Sequence, residues 1–294
     1  MSPAGHAHRV QIGDPDDPRV ADYRNVPDPE LIRQRGLFVA EGRRMVRTLL
    51  TDSRFSARSV LATESAYRAL GDVLDAGRRD IPVYVAAQAC LDAIAGFHFH
   101  RGCLALGERP PPIPMAEVLS GVGEGPVVLV LLDNVGNPDN VGAIFRNAAA
   151  FDAAAVLLSP GCCDPLYRKA IRTSIGTSLR LPFTTLSAWP GDLAELTARG
   201  FTLVALTPDP AALALGRFVA STPPKRLVLL LGAEGDGLSE AARQAADVAV
   251  RVPLAAGVDS INVATAAGIV LQRIAEMRTP IAPRDTGNIR SDGH

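Results

Sequence analysis

The sequence predicts an α/β protein: a parallel sheet covered by helices on both faces, preceded by a smaller α/β domain. Three observations predict it. Five apolar runs beyond residue 125, "PVVLVLL", "AAVLLS", "FTLVALT", "RLVLLLG" and "VAVRVPL", show no polar–apolar alternation, as strands buried on both faces do. Amphipathic stretches at about 140–151, 165–176, 191–199, 237–245 and 262–277 alternate with them, the pattern of helical crossovers between parallel strands. Finally, "ERPPPIP" at 108–114 fits neither helix nor central strand, because proline fixes φ and removes a donor. A domain boundary falls there.

Before that boundary, residues 1–28 are rich in Pro and Asp without periodicity and read as a loose arm. "FVAEGRRMVRTLL" reads as a strand turning into an amphipathic helix, and "SARSVLAT", "PVYVAA" and "GCLALGE" as strands. "AYRALGDVLDAG" reads as a helix between two of them. The division is an arm over 1–28, a domain over 29–107, a linker over 108–124, the sheet domain over 125–280 and a disordered tail over 281–294.

The 294-residue chain is 47% hydrophobic and carries a net charge of −1; it has core enough for two ordinary domains. No apolar run reaches the roughly 18 residues of a membrane span, and the first residues lack the apolar stretch of a signal peptide, so a cytoplasmic protein is expected. Cys90, Cys103, Cys162 and Cys163 show no CxxC spacing and read as reduced thiols, not zinc ligands or disulfides. The charge is unevenly spread. Residues 31–60 hold seven arginines against Glu41 and Asp52, and "LYRKAIRTSIGTSLR" (166–180) holds four cations and no acid. Arginine's planar fork suits phosphate, although solvated helix faces also collect it.

Polar tracts follow three strands: "DNVGNPDNVGAIFR" from 133, "GAEGDGLS" from 232 and "PLAAGVDSINVATAAG" from 253. Glycine lets a backbone approach a ligand closely, and ligands of parallel sheets bind at carboxyl strand ends, so the three tracts suggest one shared pocket. Asp139 or Asn140 is positioned to cap the helix bearing Arg146, and Ser260 the helix containing Asn262. Nucleotide motifs do not fit: "GVGEG" (121–125) precedes its strand, and GxxxxGK[ST] is absent. No histidine lies in the sheet domain, which leaves histidine-based hydrolysis without support, and no metal-ligand spacing is present.

In order, the three tracts resemble the signature motifs of the SpoU (TrmH-type) RNA ribose 2′-O-methyltransferases. "NVGAIFRNAAAFDA" is similar to the first, with Asn140 and Arg146 at its defining positions; "LLLGAEGDGLS" to the second, with Glu234; "VRVPLAAGVDSINVATAAGIVL" to the third, with Ser260 and Asn262. "CCDPLYRKAIRTSIGTSLRLPF" resembles the basic segment between the first and second motifs, and "LFVAEGRRMV" with "HRGCLALGER" the small L30e-like substrate-binding domain of many members. The likeness runs from about 30 to 278. Asn147 stands where threonine is common, Asp152 where glycine is usual, and Ala264, on the expected cofactor side, where serine is common.

The resemblance implies a trefoil-knotted sheet domain, an exception to ordinary topology, acting as a homodimer on RNA, foremost ribosomal RNA. It implies S-adenosylmethionine bound near Thr207, Gly232, Glu234, Gly235, Val252, Leu254, Ile261, Asn262 and Ala264. It casts Arg146, Asn140, Glu234, Ser260 and Asn262 as the catalytic set. Arg33, Arg35, Arg43, Arg44, Arg168 and Arg172 are the RNA-binding candidates, and no metal is expected. The alternatives are a tRNA 2′-O-methyltransferase and a non-catalytic, knotted RNA-binding ribosome-assembly factor.

Overall fold

In a computed structural model, residues 9–24, 27–76, 81–96, 98–221 and 224–278 are described. The expected tail over 281–294 lies outside them, as do the first eight residues of the arm. The first sheet comprises β1 (Arg9–Ile12), β2 (Leu37–Glu41), β3 (Ala57–Ala62), β4 (Val83–Ala86) and β5 (Cys103–Glu108) in the order β1-β4-β3-β5-β2. β4 runs parallel to β1 and β3, whereas β5 runs antiparallel to β3 and β2.

Two expectations fail in this half. Residues 9–24 are not a loose arm: β1 extends the sheet edge, and Ile12, Val20 and Tyr23 are buried in its core, with the Tyr23 hydroxyl 2.7 Å from Ser59 Oγ. A four-residue strand with one buried apolar side chain leaves no periodic signal. The stretch read as one helix between β3 and β4 is two, Glu64–Ala69 and Gly71–Ala76.

The second sheet holds β6 (Val127–Asp133), β7 (Ala155–Leu158), β8 (Phe183–Thr185), β9 (Thr202–Leu206), β10 (Leu213–Ala214), β11 (Arg226–Gly232) and β12 (Val248–Arg251), ordered β10-β12-β9-β11-β6-β7-β8. Every ladder is parallel. Alternation along the central strands accounts for their unbroken apolar runs. Val128, Val130 and Leu132 of β6, with Leu227, Leu229 and Leu231 of β11, enter one core; Leu129, Leu131, Val228 and Leu230 enter the core on the opposite face. Helices Pro138–Ala150 and Val263–Arg278 cover the first face, and Asp192–Ala198 and Glu240–Ala245 the second. The linker is partly a helix too: Met115–Ser120 follows the prolines and buries Met115, Val118 and Leu119 in the second core.

The two sheets share a core. Phe38, Phe55, Phe183 and Phe145 form a chain of ring contacts across the junction, with centroids 5.3, 6.1 and 5.6 Å apart. Ion pairs join Arg168 to Asp28 at 2.7 Å, Arg180 to Asp52 at 2.9 Å, and Arg109 to Asp164. No helix among the described residues is long and apolar enough to cross a membrane.

Candidate active site

The chain leaves β6 through Asp133, whose buried carboxylate accepts from the backbone N–H of Ser239 at 2.7 Å and so ties the end of β6 to the loop after β11. Helix Pro138–Ala150 then begins on Asn137, whose side chain accepts from the Asp139 N–H. Neither Asp139 nor Asn140 is the cap. Asp139 instead pairs with Lys169 at 2.7 Å, and that hydrogen bond holds its carboxyl below the usual range. Asn140, one turn into the helix, is free to face its neighbours.

Those neighbours meet at Asn262. Its Nδ2 donates to Asn140 Oδ1 at 2.9 Å and to Glu234 Oε1 at 2.8 Å, while its Oδ1 accepts from the N–H groups of Ala264 and Thr265 at 2.9 and 3.2 Å. Asn262, not Ser260, is therefore the cap of helix Val263–Arg278. One amide thus fastens together the loops that follow β6, β11 and β12. Asn262→Ala is expected to lower stability by about 1–2 kcal/mol through loss of the cap. Asn262→Ser, which keeps a capping oxygen but is too short to bridge, should recover most of that loss in urea unfolding.

Beside this junction lies a cavity of about 600 Å³. Of the residues named as cofactor candidates, Thr207, Gly232, Glu234, Gly235, Val252, Leu254, Ile261 and Asn262 line it, and Ser260, named for the catalytic set, lines it too. Ala264 does not: it is 5% exposed and faces the interior, where its carbonyl accepts from Asn147 Nδ2 at 2.7 Å. Two of the departures from the family pattern thus contact each other. The third, Asp152, has a φ of +58°, a left-handed conformation that favours glycine and that Asp adopts more readily than most residues. Asp259, Val263 and Ala266 also line the cavity and were not foreseen, although Asp259 directly precedes a named motif serine. Among the described residues no group of three or more His, Cys, Asp or Glu is arranged to hold a metal ion.

Arg146 departs from expectation. Although the residue is cast in the catalytic set, its side chain is exposed, makes no ion pair or hydrogen bond among the described residues, and does not line the cavity. Helical geometry is the reason. Asn140 and Asn147, seven residues apart, lie on one face and both bond to the 262–264 segment. A residue six positions after Asn140 points about a third of a turn away.

The RNA-binding candidates are also separated by their partners. Arg33 and Arg44 are exposed without ion pairs among the described residues, and Arg43 reaches Ser65 Oγ at 3.3 Å. Arg172 lies 3.8 Å from Glu41, and Arg35 pairs with Asp22 at 2.8 Å. Arg168, held by Asp28, staples the two sheets together and is not an open cation.

Residues 127–272 match the SpoU rRNA Methylase family. Over 262 residues the chain is 39% identical to an uncharacterized tRNA/rRNA methyltransferase, Rv0881 of Mycobacterium tuberculosis, covering 88% of each chain. The fold is similar to that of an rRNA methyltransferase from Sinorhizobium meliloti, with a TM-score of 0.77 and 22% identity over 92% of this chain and 99% of that one. It is similar as well to the SpoU methyltransferase AviRb from Streptomyces viridochromogenes in complex with the cofactor AdoMet, at a TM-score of 0.73 and 23% identity over 89% and 99% of the two chains. The 600 Å³ cavity and the Asn140–Asn262–Glu234 junction lie within the matched residues 127–272, and the chain belongs to the SpoU rRNA methylase family.

Proposed function

We propose that this protein transfers a methyl group from S-adenosylmethionine to a ribose 2′-hydroxyl of RNA, with ribosomal RNA as the substrate. The observation that carries the reading is the Asn262 amide, which holds Asn140 and Glu234 together beside the 600 Å³ cavity that Glu234 and Asn262 line. The residues fit the cofactor. Gly232 and Gly235 offer bare backbone, Val252, Leu254 and Ile261 offer apolar walls for an adenine, and Thr207 and Glu234 offer polar rims. When bound, S-adenosylmethionine supplies a methyl group already attached to a good leaving group.

The chain's task is then to orient the hydroxyl and stabilise charge growing on its oxygen. Asn140 accepts from Asn262 through its carbonyl, and its amide NH₂ has no partner among the described residues. It is thereby a donor ready for the ribose. Arg146, permanently charged, acts as electrostatic stabiliser and phosphate anchor and not as a base. Its exposed position suits a site completed by RNA and by a second copy of the chain. Ile269 and Met277, 37% and 38% exposed on the helix packed against that of Arg146, support homodimerisation through this face. The passage from β12 back across the ends of β9 and β11 to pack on helix Pro138–Ala150 supports the threaded end of a trefoil knot.

The test is mass-spectrometric mapping of ribose methylation in total RNA from cells with and without the gene. Loss of one 2′-O-methylated ribosomal nucleotide is expected. A lost tRNA mark would move the substrate, and an unchanged map with no calorimetric binding of S-adenosylmethionine would reject the activity.

A further inference from the structure

A second concavity, of about 480 Å³, lies at the junction of the two sheets, lined by residues of the first sheet's helix, loop and strand ends and of the proline segment. Arg35, Arg54, Arg58 and Arg109 line it, against one acid, Glu108. Arg35 and Arg109 are compensated by Asp22 and Asp164. Arg54 and Arg58 are exposed and have no ion pair or side-chain hydrogen bond among the described residues.

Both positions are set by the backbone. Arg58 is the extra residue of a bulge: Ala57 pairs with Gly107 and Ser59 with Leu106, so Arg58 has no partner on β5. Bulges re-aim side chains in this way. Arg54 is fixed by its N–H, which donates to Leu179 O of the second domain at 2.9 Å, and the groove's floor is tied by Glu108 N–H to Ser56 O at 2.9 Å and Arg109 N–H to Gly36 O at 2.8 Å. Desolvation by the groove walls lowers the Arg54 guanidinium from its ordinary value although the residue is exposed, with Glu117 acting in the opposite sense. An adjoining cleft shares Arg54, Phe55, Arg109 and Pro110 with the groove and continues along Pro111, Pro112 and Ile113.

We infer that this groove binds a single-stranded segment of RNA, Arg54 and Arg58 each meeting a backbone phosphate and a base lying on Phe55 and the proline segment. The inference rests on the reading of RNA as substrate. Unpaired guanidiniums beside an apolar, ring-bearing cleft are the recurring elements of single-strand binding, and unstacked bases are what proteins grip in structured RNA. The groove is walled by the first domain and the proline segment, and the adjoining cleft reaches the second domain at Leu166 and Phe183; a concavity of this kind admits one strand more readily than the broad face of a duplex.

The test is fluorescence anisotropy with the full chain and a labelled single-stranded RNA of about 15 nucleotides, near the upper site size for such grooves. Arg54→Ala/Arg58→Ala should weaken binding about tenfold and make the log Kd against log salt slope shallower by about 1.4, two phosphates at about 0.7 each. Arg54→Lys/Arg58→Lys should restore most of the slope, and S-adenosylmethionine affinity and melting temperature should not change in either. The paired surface arginines Arg68 and Arg199, each bonded to a glutamate one turn away, serve as control: Arg68→Ala/Arg199→Ala should bind as the unsubstituted chain does. RNA binding and salt slope that survive loss of both guanidiniums overturn the groove alone, and equal weakening towards a blunt RNA duplex overturns its assignment to a single strand. An unsubstituted chain that binds no RNA overturns the functional reading, and the groove with it.

Discussion

Arg146→Ala should lower methyl transfer by about a thousandfold, near 4 kcal/mol of transition-state stabilisation, while S-adenosylmethionine binds with unchanged affinity. The separation of the two effects follows from position. Arg146 does not line the 600 Å³ cavity and has no ion pair or hydrogen bond among the described residues, so its removal leaves the pocket wall and the fold intact. On the proposed reading, what is lost is the positive charge that would face an alkoxide developing on the ribose. Arg146→Lys keeps the charge without the planar fork and should recover only about tenfold, because phosphate and hydroxyl cannot then be gripped together. Single-turnover methylation together with calorimetric titration of the cofactor measures both quantities. Unchanged turnover in the alanine variant would remove Arg146 from the chemistry; a weakened cofactor would show instead that the arginine shapes the pocket.

That arginine marks the limit of what could be read from sequence. The long parallel strands were legible because β6 and β11 feed apolar side chains to two cores at once, which leaves unbroken runs. The edges were not. β8 and β10 are three and two residues long, and β1 buries one apolar side chain, so none produces a period. Helix Met115–Ser120 was hidden by the prolines before it. In the site, the loops were legible as tracts of Gly, Asn and Ser at strand ends, but the roles within them were not. Asn137 and Asn262 cap their helices where Asp139, Asn140 and Ser260 were equally plausible by residue type. A cap depends on backbone geometry at one residue, and composition does not carry that. The same holds for Arg146, whose direction depends on which helix face the 262–264 segment occupies.

Gly232→Ala should be as damaging as loss of the arginine, through a different link. Gly232 closes β11, and the loop beyond it folds straight back, Ala233 and Gly237 exchanging two N–H···O bonds of 3.0 Å. A Cβ at position 232 would stand 2.1 Å from the carbonyl carbon of Gly237 and 2.2 Å from the Leu238 nitrogen. These are backbone atoms, so no rotamer relieves the clash, and the loop must lift. Glu234 and Gly235 ride on that loop and line the cavity, and Glu234 accepts from Asn262. Lifting it opens the pocket and breaks one arm of the Asn262 junction together. The expected cost is about 1–3 kcal/mol of stability, as for overpacking elsewhere, and a loss of cofactor affinity of about a hundredfold, about 2.8 kcal/mol at 1.4 per decade. Ala233→Gly, one residue on and outside the clash, should leave affinity nearly unchanged. The pair separates close backbone approach at Gly232 from general sensitivity of the loop. Cofactor binding by Gly232→Ala at the unsubstituted affinity would mean that the loop has room to spare, and that its fold over the strand end does not shape the pocket.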